Sequence, residues 1–225
     1  MHSKHPVTTF HDLVSKPFRG AMNAICWSRP LLGDFSEIVQ QAEPESNMAE
    51  LSPEQLLALS LSEAGQLARH MLLSDLSLLT AHGASPTLNL IRWYERDDAC
   101  LFFPTDVYSF HVDRAPVPCE TFLCTYHGAC SEILPNAQAE RKVLVPEIRE
   151  ALRERYAGAE QGFEAYLSNH CYDLHYQTMP AARPIRLGLG HLWRLAVDHP
   201  GSNVLPCIHR APEERKGETR LLLIC

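Results

Sequence analysis

Tyr108-Ser109-Phe110-His111-Val112-Asp113 reads as a short β-strand, rich in aromatic and β-branched residues and flanked by turn formers. Side chains at i and i+2 of a strand share a face, so His111 and Asp113 project together while Val112 points away. An imidazole and a carboxylate thus meet at one point, and a metal ion held there needs a further ligand from a distant part of the chain. Cys207-Ile208-His209-Arg210-Ala211-Pro212 ends another predicted strand and offers His209. On the strand after that, alternation groups Arg220 with Leu222 and Ile224. A single guanidinium on an otherwise apolar face requires an anion, and its fork suits a carboxylate.

Outward from this segment the chain alternates short strands with turns. Leu88 to Glu95, Ala99 to Phe103 and Glu120 to Tyr126 surround it. Ile185 to Leu187, His191 to Val197, Val204 to His209 and Thr219 to Cys225 follow, punctuated by Gly188, Gly190 and Pro200-Gly201. Asn136 to Tyr156, closed by Gly158, predicts a charged amphipathic helix with a break at Pro146, and Gln161 to His170 a second. Together they form a helical insertion at about residues 136–175. Before Ser85-Pro86 the pattern is helical. Phe35 to Gln41 makes a short helix and Glu43 to Ala49 a polar connection. Ser52, Pro53 and Gln55 form a helix start with a reciprocal cap. Leu56, Leu57, Leu59, Leu61, Leu67, Met71, Leu72, Leu76 and Leu79 then recur near helical spacing, in one helix or two, until Gly83. The expectation is one α+β domain over residues 1–225, a β-sandwich or jelly roll with outer helices. Residues 1–85 supply a mainly helical layer and 86–225 the strand core.

Composition narrows the function classes. The chain has 225 residues, is 45% apolar and 21% charged, and carries a net charge of −7, which argues against gripping nucleic acid or an anionic membrane through a basic face. No apolar run approaches the ~18 residues of a spanning helix. Met1 to Phe10 resembles neither a signal peptide nor an organelle address, so the cytoplasm is the expected compartment. The eight cysteines are scattered, with no Cys-x-x-Cys pair, and are expected to be reduced. The spacing of Cys119, Cys124 and Cys130 suits a strand and its turn better than a cluster site, and no signature supports a cysteine nucleophile at Cys124 or Cys207. His127, His170, His175, His191 and His199 are read as structural, His70 and His82 as polar-face residues, and Trp27, Trp93 and Trp193 as core anchors. Arg92, Arg186 and Arg210 either line a pocket or solvate a strand edge.

Two histidines and a carboxylate on one side of an ion leave the other side open, the arrangement of non-haem iron(II) oxygenases. His-x-Asp, a distal His followed by Arg-Ala-Pro, and Gly217-Glu218-Thr219-Arg220-Leu221-Leu222-Leu223 together resemble the iron(II)- and 2-oxoglutarate-dependent dioxygenase pattern. That resemblance implies a double-stranded β-helix with His111, Asp113 and His209 as iron ligands and Arg220 as the anchor of 2-oxoglutarate. Tyr126 is implied as a hydrogen-bond partner of the bound cosubstrate, through Thr125-Tyr126, Gly128 and Ser131 to Pro135. The implied reaction couples oxidative decarboxylation of 2-oxoglutarate to oxidation of a C–H bond in an unidentified substrate, a small molecule or a protein side chain. The whole chain is also similar to an uncharacterised bacterial family. Asn23-Ala24-Ile25-Cys26-Trp27-Ser28-Arg29, Phe110 to Asp113, Leu123 to Gly128 and His209 to Pro212 carry that likeness, which brings no reaction with it. The alternative is a module on the same barrel that binds or senses a divalent metal, zinc or iron, and performs no oxidation, since imidazole and thiolate suit zinc. A scaffold that binds no metal is a third reading. The sequence does not fix the oligomeric state.

Overall fold

The computed structural model describes residues 4–42, 44, 46–97, 103–213, 215 and 217–225. The fold is mixed α+β, with two sheets and several helices. The first half supplies β1 (Lys4–Val7), α1 (Phe10–Ser15), β2 (Ala24–Trp27), α2 (Phe35–Gln41), β3 (Met48–Glu50), α3 (Pro53–Ala58), α4 (Glu63–Ala81) and β4 (Thr87–Ile91). There follow β5 (Phe110–His111), β6 (Glu120–His127), β7 (Glu132–Leu134), β8 (Ala139–Arg141), α5 (Pro146–Arg155) and α6 (Phe163–Asn169). The chain finishes with β9 (His175–Thr178), β10 (Ile185–Arg186), β11 (Leu192–Ala196), β12 (Ile208–Arg210) and β13 (Arg220–Ile224).

Local chemistry accounts for the helices the sequence predicts. At the start of α3 the Ser52 hydroxyl accepts from Gln55 N–H and the Gln55 side chain accepts from Ser52 N–H, while Pro53 occupies the first position, where no N–H is needed. Such a cap stabilises a helix by about 1 kcal/mol. α4 stops where Gly83 takes φ 94°, a conformation that a side chain would strain. Between its ends Ala68, Leu72, Asp75 and Leu79 are buried on one stripe, so the Leu-rich helix is a packing layer against the larger sheet.

That sheet has seven strands in the order β1-β2-β11-β6-β13-β4-β3, and the other has six, β10-β7-β12-β5-β9-β8. Strand alternation sorts their side chains into two cores. Phe122, Cys124 and Tyr126 of β6, with Leu221 and Leu223 of β13, face the helices; Leu123, Trp193, Leu195 and Leu222 face the second sheet and pack with its Ile133, Leu187 and Cys207. The six-stranded sheet turns Phe110, Leu134, Tyr176 and Ile208 to its outer side, into a separate cluster with Val112. Any residue next to these in β5 or β12 therefore points inward, between the sheets.

Several elements differ from the sequence expectation. β1, β2 and β3 pair within the seven-stranded sheet, so residues 1–85 contribute strands as well as helices, and Met48–Glu50 lies inside the stretch read as a polar connection. Pairing with distant strands leaves little trace in three or four residues. Pro146 begins α5 instead of breaking a longer helix, and residues 136–144 form two 3₁₀ turns around β8. β8 pairs with β9, so the 136–175 segment is stitched into the smaller sheet. The predicted strand Ala99 to Phe103 falls largely on residues outside the described ones, 98–102, and Phe103 sits in a bend. Trp193 is buried in the core as expected, whereas Trp93 is 45% exposed. No helix among the described residues is long and apolar enough to cross a membrane.

Candidate metal centre

β5 is only two residues long, but its place in the sheet fixes the site. His111 points inward because Phe110 points outward, and β12 lays His209 directly opposite it in antiparallel register. The two rings have centroids 4.6 Å apart. Asp113 follows at the end of the segment, with Oδ2 3.7 Å from His209 Nε2. One ligand atom from each of His111, Asp113 and His209 lies within 4.8 Å of the other two. The structure thus brings together the three residues that the sequence offers as a ligand set.

The backbone presents the imidazoles in the tautomer that metal binding needs. His111 Nδ1–H donates to the Ser109 carbonyl at 2.7 Å and His209 Nδ1–H to the Cys207 carbonyl at 3.2 Å, which leaves both Nε2 lone pairs free. Thr121, on the inner face of β6, donates its hydroxyl to Asp113 Oδ2 at 2.5 Å and orients the carboxylate from the opposite sheet. Burial, reinforced by the neighbouring His209, pushes the His111 pKa down to about 4. It is therefore neutral near neutral pH and a cation displaces no proton from it. Burial alone would raise the Asp113 pKa, but His209, the Thr121 hydrogen bond and His111 outweigh it, and the carboxyl stays below its ordinary range. Two imidazoles and one carboxylate, each held by a second group, make a donor set that fits a divalent cation.

Arg220 stands on the inner face of the seven-stranded sheet, as alternation predicts, and is 6% exposed. It donates to Ser131 Oγ at 2.7 Å, Thr125 Oγ1 at 3.0 Å and Tyr94 Oη at 3.5 Å, and its Nε has no partner. Desolvation lowers its pKa from the ordinary value, partly offset by Tyr94. Other arginines with little exposure meet carboxylates: the half-buried Arg29 pairs with Asp75, and the buried Arg194 lies 3.2 Å from Glu120. Among the described residues no carboxylate pairs with Arg220. Gly128, at φ 83°, brings the β6 end against it, since a Cβ there would stand 3.1 Å from the Arg220 Cα.

Tyr126 is a correction. Its neighbour Thr125 faces Arg220, so Tyr126 faces the helices, stacks on Phe35 at 5.4 Å and donates its hydroxyl to Asp75 at 2.5 Å. The inward partners of Arg220 are instead Tyr94, Thr125 and Ser131. His175, read as structural, lies opposite His111 on β9, so His209, His111 and His175 form a row across three adjacent strands. In sequence the helical insertion ends at about residue 175 and no strand is expected there, so β9 carries no signal for it. His70 and His82 are exposed, as expected. Cys124 faces the helices and Cys119 is exposed, so Cys119, Cys124 and Cys130 do not converge. Arg186 and Arg210 pair with Glu132, at 3.4 and 2.7 Å.

The fold and site together define a mixed α+β protein with a candidate two-histidine, one-carboxylate metal centre between its sheets. The chain belongs to the DUF1826 family, proteins of unknown function, and the match spans residues 105–225. It contains all three candidate ligands and Arg220, and begins after the N-terminal helices. No curated protein and no solved structure matches the chain.

Proposed function

We propose that this protein is an iron(II)- and 2-oxoglutarate-dependent oxygenase built on a jelly roll, acting on an unidentified substrate. The observation that carries the reading is the buried, carboxylate-free guanidinium of Arg220 on the inner face of one sheet, with His111, Asp113 and His209 on the inner face of the other. A cation site and a separate anion site inside one fold suit a small dicarboxylate held at both ends. A buried cation without an anion is costly, which favours a ligand that supplies one. Iron would be held by the three residues and would supply redox chemistry toward a C–H bond, as in other two-histidine, one-carboxylate sites. Arg220 binds and orients the far carboxylate, Thr125 and Ser131 hold the guanidinium, Thr121 fixes Asp113, and the apolar residues between the sheets exclude water.

The test is turnover of the cosubstrate. Protein reconstituted with iron(II) and exposed to oxygen is expected to consume 2-oxoglutarate and release succinate, slowly when no substrate is present, and His111→Ala should abolish both. A protein that arrives from cells loaded with zinc, and consumes no 2-oxoglutarate after iron reconstitution, would instead favour a metal-handling module. Nitrogen and oxygen donors do not intrinsically prefer iron(II) to zinc.

A further inference from the structure

We infer that His175 is a positioning residue of the metal centre, which hydrogen-bonds the exogenous ligand on the open side of the ion. The inference rests on the metal-centre reading above and adds a residue that neither the ligand set nor the Arg220 site uses.

Three observations converge on it. Register places His175 directly across β5 from His111, on the same inward face, with the rings 5.9 Å apart. The residue is 4% exposed, yet its Nδ1 is buried with no hydrogen-bond partner among the described residues. Such an atom carries its desolvation penalty uncompensated, so a buried polar atom without a partner calls for one that a ligand brings. Finally, His175 lines the same cleft as His111 and Asp113, together with Thr105, Asp106 and Leu174. Its other surroundings do not occupy it. Phe103 packs on the ring at 6.1 Å, and Ser109 Oγ is taken by Lys142 at 2.8 Å. The neighbouring strand positions Phe110 and Tyr176 face the opposite side of the sheet.

A neutral imidazole so placed donates an N–H to whatever acceptor binds the metal through this cleft, either nitrogen being presented by rotation of the ring. The ligand class is a small oxygen- or nitrogen-donor group with a lone pair left over after coordination. His175 is not itself a fourth ligand, since the mutually close set comprises His111, Asp113 and His209.

Cobalt(II) and azide test this without turnover. The cobalt-loaded protein is titrated with azide while the visible bands of the metal are followed. In His175→Phe, which keeps the ring packed against Phe103, cobalt affinity is expected to stay within about twofold and azide affinity to fall about tenfold. His175→Gln or His175→Asn, whose amides put a donor where Nε2 or Nδ1 stands, should restore azide binding in at least one case. Equal azide affinity in wild type and His175→Phe, or no response to azide in the wild type, would overturn the inference. Absence of His111-dependent cobalt bands in the wild type would sink the metal-centre reading itself, and the role of His175 with it.

Discussion

Thr121 and Asp113 join the two sheets at the candidate metal centre: the threonine hydroxyl, on β6 of the larger sheet, donates to the carboxylate that ends the β5 segment of the smaller one. The hydrogen bond does two things at once. It fixes which way the carboxylate points, and it favours the ionised form that a cation needs. Four residues further along the same inward row, Thr125 accepts from Arg220. One strand face thus braces both the proposed cation site and the proposed anion site.

Thr121→Val should therefore weaken metal binding by about 10- to 100-fold while the fold survives, the usual effect of removing a group that orients a ligand. Isothermal titration with cobalt(II), with Thr121→Ser as the restoring control, measures it. An unchanged affinity would mean that Asp113 is oriented by something else.

Arg220→Met should separate stability from binding. Replacing an unpaired buried cation with an apolar side chain of similar length removes a desolvation cost, so the ligand-free protein is expected to melt higher, by a few degrees. The same change should remove 2-oxoglutarate binding. Thermal denaturation with and without cosubstrate reads both effects; a destabilised variant would show that Thr125, Ser131 and Tyr94 already satisfy the guanidinium.

Tyr126→Phe should behave in the opposite way. The lost hydrogen bond to Asp75, which is also paired with Arg29 beneath α4, is expected to cost about 1–3 kcal/mol of stability. Cosubstrate binding should be untouched, because the ring lies on the helix side of β6. A Tyr126→Phe variant of normal stability and poor 2-oxoglutarate affinity would reverse that assignment.

These contrasts show what the sequence carried and what it did not. Capping chemistry is local, so Ser52, Pro53 and Gln55 announce α3, and Phe35 to Gln41 is a helix with the expected ends. The i, i+2 rule is local too, and it grouped His111 with Asp113 and set Arg220 beside Leu222. Register between distant strands is not local. Nothing within β9 says that His175 will lie opposite His111, and nothing within β2 or β3 says that they join a sheet built mainly from the second half of the chain. The correction at Tyr126 has a related cause: neighbours on a strand face opposite ways, so a likeness that spans Thr125-Tyr126 does not say which of the two meets Arg220, and only the packed sheets do.

Acid should destabilise the metal-free protein through its inward histidines. Burial holds the His175 pKa down to about 3 and the His111 pKa down to about 4, against an ordinary value of 6.5. Below about pH 6.5 the unfolded chain takes up protons that the folded chain refuses, so stability is level above that pH and falls as pH drops toward 4. Each histidine contributes about 1.4 kcal/mol per pH unit of that interval. Melting temperatures of chelator-treated protein between pH 8 and pH 4.5 are expected to follow this shape, less steeply in His175→Phe. A flat profile down to pH 4.5 would be incompatible with neutral, buried rings.

The central claim is that a metal held by His111, Asp113 and His209 and the guanidinium of Arg220 grip one small dicarboxylate together. The direct measurement is a titration of 2-oxoglutarate into anaerobic, iron(II)-reconstituted protein, following the visible charge-transfer band of a chelated 2-oxo acid, with Arg220→Ala in parallel. The account predicts a band in the wild type, and in Arg220→Ala a band only at far higher cosubstrate concentration with iron still bound. Iron bound through the triad with no band at any concentration, or a band indifferent to Arg220, would contradict it.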